Sequence, residues 1–390
     1  MTAMTWTHYI PLLSFIWIPL THAAPTVQVG FNAATIAKVR ANMLQVADHS
    51  WENGTAAESL TELSWPSLSV FRPNAIPPPT TLNESLNAHD VLDIANATVD
   101  LRPSSSLTLA ASDEAVGDPA SLGIAVLLAN WTRTDLSDTT YGDAATDQLN
   151  YLLNDAPRTE AGAISQRKDE VQLWADFIYM APPFIAYYGA LQGGDQELTL
   201  LQTAYDQIRL YRDELRDEST GLWKHIVLGS WQDDTLWGTG NGWAAAGMLR
   251  VLETINQHNH SSLAAQKQDL QDWVNEIIGA AWTFQASNGT LLNALNDPSS
   301  FADSSSTALL ASVTYRMAAL TNDTTHLPAA NRALKVVEAS VDADGWLQNT
   351  VDPLTFNTPT AAGDHSPEGQ AFVLLLEAAQ RDYLAAISSA

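Results

Sequence analysis

Asp176 stands inside the stretch Leu173-Trp-Ala-Asp-Phe-Ile-Tyr-Met-Ala-Pro-Pro183, with Val171, Leu173, Trp174, Phe177, Ile178 and Met180 around it. The run reads as part of a helix from Glu170 to Leu191 that is apolar on nearly every side, and such a helix is normally buried all round. A carboxylate is rarely buried unless it is paired. Apolar surroundings disfavour its charged form and raise its pKa, which yields a general acid that keeps its proton near the working pH. The plainer reading is an Asp that caps a neighbouring helix or pairs with an Arg, because structural networks perturb carboxyl groups as well.

A second cluster runs from Gly221-Leu-Trp-Lys-His225 through Trp231-Gln-Asp-Asp-Thr-Leu-Trp-Gly-Thr-Gly-Asn-Gly-Trp243. Gly238, Gly240 and Gly242 alternate, which lets backbone approach a ligand closely. Trp223, Trp231, Trp237 and Trp243 offer flat faces on which sugar rings stack; the alternative is a loop held down by buried Trp side chains. Without a preceding strand or a Lys-Ser/Thr ending, this is not a phosphate loop. His225 is a candidate donor to a substrate carboxylate or hydroxyl. Asp118 precedes Pro119 and a helical run, so its default role is an N-cap. Asp233 and Asp234 read as solvated turn residues. His365 lies in a helix-start segment that could line a pocket, and Ser366 caps the last helix. Zinc-protease, nucleophile-elbow and EF-hand signatures are missing, and nothing calls for a cofactor or a metal.

The elements that must position these residues are helices. After an amphipathic segment at about 33–49, the Pro-rich stretch from Trp51 to Pro79 reads as a long surface strap, and 80–117 is polar and Ser-rich with weak signals. From 118 onward helix follows helix: Leu122–Asn130, Tyr141–Leu153, Glu170–Leu191, Gln196–Leu215, Trp243–Asn256, Leu263–Ala286, Ser304–Leu320, Leu327–Ser340 and Pro367–Ala386. Strand alternation is nearly absent. About ten helices are legible, and a closed ring of helical hairpins, an all-α (α/α)6 barrel, accommodates them. One domain is expected over 24–390, with irregular chain at about 66–117.

The 390 residues are 46% hydrophobic and 16% charged, with a net charge of −26. That is ample for a large core. The acidity argues against nucleic acid, which seeks a basic surface, and disfavours long anionic polymers as ligands. With no Cys, disulfides, thiolate metal sites and a Cys nucleophile are excluded. The apolar run Tyr9–Leu20, closed by small residues, reads as a signal peptide over residues 1–23. It is too short and Pro-broken for a membrane span. Sequons at Asn53, Asn83, Asn96, Asn130, Asn259, Asn288 and Asn322 agree with a secreted, extracellular glycoprotein carrying N-glycans.

Taken together, Ala156-Pro-Arg-Thr-x-x-Gly162, Trp174-Ala-Asp-Phe-Ile-Tyr-Met180 followed by Pro183-Phe184, Gly221-Leu-Trp-Lys-His225 and Trp237-Gly-x-Gly-Asn-Gly-Trp243 resemble the unsaturated glucuronyl and rhamnogalacturonyl hydrolases, glycoside hydrolase families 88 and 105, closest to 105. The resemblance covers about 116–385 and implies the same (α/α)6 fold. It also implies an unusual reaction. These enzymes hydrate the C4=C5 bond of a terminal unsaturated uronic acid on short pectin-derived oligosaccharides, and the hemiketal formed collapses to release the next sugar. By resemblance Asp176 is the acid and then the base, and Asp118 is a second active-site Asp. Trp174, His225, Trp237, Thr239, Asn241 and Trp243 fall at substrate-binding positions. Two departures stand out: Thr239 replaces an Arg found in many members, and Ser165-Gln166 replaces an aromatic-His pair. A uronate carboxylate needs a cation or several donors, for which Arg158, Arg167, Lys168 and Lys224 are candidates. The rival readings are another (α/α)6 glycosidase, such as an endo-mannanase-like enzyme with two carboxylates, and a non-catalytic oligosaccharide-binding member.

Overall fold

The computed structural model describes Met1, residues 30–258 and residues 260–388. The signal-peptide expectation and the Asn259 sequon lie outside the described residues. The helices are α1 (Ala33–Val46), α2 (Ser50–Ser64), α3 (His89–Leu101), α4 (Gly123–Thr132), α5 (Thr140–Asn150), α6 (Phe177–Met180), α7 (Pro182–Gln192), α8 (Gly194–Leu215), α9 (Gly238–Gln257), α10 (Ala264–Thr283), α11 (Ser304–Thr321), α12 (Leu327–Ser340) and α13 (Pro367–Ser388).

Two layers emerge from which helix touches which. Helices α2, α4, α7, α9, α11 and α13 each pack on the next, and α13 returns to α2, so they close an inner ring. Helices α1, α3, α5, α8, α10 and α12 pack on the outside of that ring. Along the chain, outer and inner alternate six times, apart from the one-turn α6. This is the (α/α)6 barrel expected from the sequence. Inner helices are covered on every side, which is why α7, α9, α11 and α13 read as apolar almost all round. Where two inner elements meet most closely, only glycine fits: a Cβ on Gly247 of α9 would strike the Ile178 carbonyl.

Three expectations fail, each for a physical reason. The strap expected from Trp51 is in its first part the inner helix α2, buried from Gly54 to Glu62. Its sequence hides this because Glu58 and Glu62 are buried as partners of cations rather than replaced by apolar residues. Glu58 and Glu62 pair with Arg250 of α9, and Glu62 also accepts from Arg316 of α11 at 2.7 Å. Second, the 66–117 stretch is not irregular throughout: it holds the outer helix α3, and Leu68, Val70 and Ile76 are buried. Phe71 lies over the guanidinium of Arg316, 4.3 Å from its ring centre, so this segment closes one end of the barrel.

Third, Glu170–Leu191 is not one helix. Strand β1 (Gln172–Trp174) precedes α6, and pairs antiparallel with strand β2 (Ile226–Leu228), Trp174 opposite Ile226. A short apolar run cannot be told from a buried helix by periodicity alone.

Candidate active site

The β1–β2 register brings the two sequence clusters together. Ala175 N–H donates to the His225 carbonyl at 2.9 Å, which sets Asp176 beside His225. Asp176 Oδ2 lies 3.3 Å from His225 Nε2, without hydrogen-bond alignment, so both buried atoms remain available to a ligand. On its other side His225 Nδ1 is 2.9 Å from Asp233 Oδ2. Asp233 is therefore not a solvated turn residue; it fixes the imidazole, while Asp234 pairs outside with Lys224 at 3.1 Å. Burial opposes a charged imidazole, but Asp176 and Asp233 outweigh it and hold His225 above its ordinary pKa. Asp233 is itself desolvated, yet its bonds to His225 and Thr235 bring it down to about 2.

Asp118 opens a short 3₁₀ turn ending at Leu122 and makes no capping hydrogen bond, so the N-cap reading is corrected. Its carboxylate accepts instead from Gln166 Nε2 at 2.8 Å. Burial, then the charges of Asp113 and Asp176, push Asp118 up to about 8. Asp118 is thus the cavity carboxyl for which burial most plainly favours the protonated form. Glu368, in the first turn of α13, is raised well above the usual range by burial and by neighbouring carboxylates. It accepts from Trp51 Nε1 at 3.2 Å.

Asp118, Asp176, His225, Glu368 and Gln166 border one cavity of about 220 Å³. That is below the roughly 300–1,000 Å³ of pockets for drug-sized ligands, a size that suits one sugar ring. Trp51, Trp174, Trp237, Trp243 and Phe356 form its aromatic walls. Trp237 and Trp243 are only 3% and 1% exposed, so they are wall and floor rather than open stacking platforms. Trp174 is half-buried and is held by Gln172, to which its Nε1 donates at 2.7 Å. Phe356 packs edge-on against His225, 4.6 Å between ring centres. Its backbone is left-handed, at φ 48°. That conformation costs a non-glycine residue roughly 1–2 kcal/mol, and it places the ring in the cavity wall.

Two expected site residues are elsewhere. Thr239 is wholly buried, its hydroxyl 3.4 Å from Asp303, which caps α11. Asn241 is also wholly buried and ties down the Trp223 backbone, accepting at 2.8 Å and donating at 2.9 Å. Both belong to the opening turns of α9, because the Gly/Trp segment is helix rather than ligand loop. Cβ atoms on Gly238, Gly240 and Gly242 would meet Ser306, the Trp237 ring and Leu309 at 2.8, 2.9 and 2.7 Å. The glycines admit neighbouring side chains, not substrate.

Of the candidate cations, Arg167 alone lines the cavity among the described residues. Arg158 is spent on the carbonyls of Leu152, Leu153 and Gly162, and Lys168 donates to the Asp113 carbonyl. Ser165 is buried among backbone groups of its own turn. His365 stacks on Trp346, ring centres 3.7 Å apart, outside the cavity. At Trp51, Asp113 and Glu114 the cavity meets a groove of about 940 Å³ that runs between α1, α2 and α3.

A helical ring with paired carboxyls and aromatic walls at one mouth is an architecture used by carbohydrate-active enzymes, and the sequence comparison gives the family. The profile of Glycosyl Hydrolase Family 88 matches residues 84–364, and the chain belongs to that family. It is 25% identical over 217 residues to the unsaturated rhamnogalacturonyl hydrolase YesR of Bacillus subtilis (strain 168), covering 53% of this chain. The chain spans 59% of that curated relative's length. Crystal structures from Salmonella enterica serovar Paratyphi A and from Klebsiella pneumoniae, each described as a possible member of the GH105 family, match with a TM-score of 0.70 at 18% identity. They cover 94% and 95% of this chain and 100% of their own, and they share its fold.

Proposed function

We propose that this protein removes a terminal 4,5-unsaturated uronic acid from short rhamnogalacturonan fragments by hydrating the C4=C5 bond. The observation that carries the reading is a ring-sized cavity lined by two carboxyls, the buried Asp118 and Asp176, the second of which faces an imidazole. The pair delivers a proton to C4 while water adds at C5, and the carboxylate form takes the proton that water gives up. The C5 hemiketal then opens, leaving a C1 hemiacetal that expels the next sugar as an alcohol. The groove past Trp51 accommodates the departing sugars. The small cavity at its end favours action on chain ends over the endo-mannanase-like reading. YesR, as an unsaturated rhamnogalacturonyl hydrolase, supports the substrate class. Secretion belongs to the proposal too: Asn83, Asn96, Asn288 and Asn322 are exposed and open to glycosylation, and no described helix is long and apolar enough to cross a membrane.

Lyase-digested rhamnogalacturonan is the test substrate. The ultraviolet absorbance of its conjugated C4=C5 carboxylate is expected to disappear on incubation, which ordinary glycosidic hydrolysis would not cause. Persistence of that absorbance, with tight binding of the fragments, would favour the non-catalytic reading. The pH profile of kcat/KM is expected to fall as pH rises through about 8, where Asp118 loses its proton. A profile flat to pH 10 would remove Asp118 as the acid.

Arg167 is the carboxylate anchor in this reading, lying at the cavity edge and held by two hydrogen bonds to the exposed Asp169, at 3.1 and 3.4 Å. A charge-assisted hydrogen bond contributes about 1.5–3 kcal/mol. Arg167→Gln is therefore expected to raise KM by about tenfold or more, with a smaller change in kcat. An unchanged KM would move the carboxylate to other donors.

A further inference from the structure

Three potential metal ligands converge at the opposite end of the barrel from the cavity. Glu197 is in the first turn of α8, His258 follows the last turn of α9, and His260 lies two residues on. Helix α9 has 20 residues and starts at the cavity wall, so at 1.5 Å per residue this cluster lies about 30 Å from the catalytic end. Glu197 Oε1 is 2.7 Å from His258 Nδ1 and 2.9 Å from His260 Nε2. The two imidazoles lie nearly parallel, 9° between their planes.

The short contacts are not hydrogen bonds. Glu197 is 6% exposed, yet its Oε1 has no aligned donor, and His260 Nε2, which faces it, is likewise buried without a hydrogen bond. A buried carboxylate oxygen left this way is costly. Ligands sharing one ion likewise crowd together without hydrogen-bonding one another. One atom from each residue lies within 4.8 Å of the other two.

We propose that Glu197, His258 and His260 form a binding site for a divalent transition-metal ion, with zinc the chemistry the set fits best. Two imidazoles and one carboxylate suit zinc, copper or nickel, while calcium and magnesium take oxygen ligands. Three protein ligands leave a fourth position for water. The ion joins the start of α8 to the end of α9, and its role is structural because the catalytic carboxyls are at the other end of the ring. Glu197 stands some sixty residues before the histidines, so no short motif announces the site.

The test uses tag-free, chelator-stripped protein titrated with zinc chloride at pH 7.5 by calorimetry, with thermal unfolding followed in parallel. One equivalent of zinc and a rise in Tm are expected. His260→Ala, which leaves the Asn259 sequon intact, and Glu197→Gln are each expected to raise Kd at least tenfold. Both are checked for wild-type circular dichroism, and His260→Ala, at a half-buried position, carries the test if Glu197→Gln misfolds. Protons compete with metal for imidazole, so the Tm rise should shrink at pH 5. No stoichiometric binding, or equal affinity in wild type and His260→Ala, would overturn the site and leave an ion triad.

Discussion

Asp118→Asn is expected to lose turnover by roughly 10²–10⁴-fold, the usual contribution of a positioned general acid or base, and at the same time to become more stable at alkaline pH. Both effects come from one cause. Burial and the Asp113 charge push this carboxyl from 3.8 up to about 8. The folded chain therefore holds a proton that the unfolded chain releases from about pH 4 upward. Its contribution to stability is fully present below pH 4 and is lost as pH rises to about 8. Asn has no such slope and can still accept from Gln166. At pH 8 and above the variant should thus unfold at higher urea than wild type while consuming no unsaturated substrate. An active site that trades stability for chemistry behaves this way. Turnover within tenfold of wild type would end the acid role. Asp176→Asn should lose a similar factor, and the double variant little more than either single, because paired residues acting as one unit are not additive. His225 reports independently: Asp176 is the largest influence raising its pKa, so the imidazole should titrate at lower pH in Asp176→Asn. Were Asp118 the N-cap that the sequence suggests, Asn would replace it at little cost, since Asn caps as well.

How far the sequence could reach depends on what each helix buries. Inner helices α7, α9, α11 and α13 are apolar enough to be recognised, and the ring follows from counting them. Helix α2 was invisible because its buried face carries Glu58 and Glu62, whose partners Arg250 and Arg316 lie about 190 and 250 residues away in the chain. Asp118, Asp176, Trp174 and His225 could be singled out by residue type and by the resemblance. Glu368, Trp51 and Phe356, which reach the cavity from separate segments, could not, and neither could Asp233, which reaches His225 behind it; Gln166 was visible only as a departure from the family pattern. Asp233 shows the difficulty well: beside Asp234 it reads as surface charge, and only its backbone pairing with Ile226 turns it toward His225. The Gly/Trp segment misled in the other direction. Its glycines do mark a close approach, but of helix to helix.

Removing one member of the charge network below the cavity is expected to be the most destabilising single change. Arg250 holds Glu58 and Glu62 and donates to the Tyr179 hydroxyl at 3.1 Å; Arg316 holds Glu62 and Asp382. Each of these charged side chains is about nine-tenths buried or more. Two charges taken from water cost several kcal/mol each, and attraction in the interior offsets this only while every partner is present. Arg250→Met strands Glu58 and leaves Glu62 to Arg316 alone, and the expected loss is about 3–5 kcal/mol. Without Arg250 the desolvation that already raises Glu58 is less opposed. The stranded carboxyl therefore holds its proton to higher pH, and the deficit should be larger at pH 8 than at pH 5. The companion variant Arg250→Met/Glu58→Leu removes both partners of one pair. It should recover part of the loss, with a coupling energy of about 0.5–3 kcal/mol in a double-mutant cycle. Urea unfolding followed by tryptophan fluorescence measures each. Strict additivity, or a loss under about 1 kcal/mol for Arg250→Met, would mean that water reaches these groups and that the inner ring is held by its apolar packing alone.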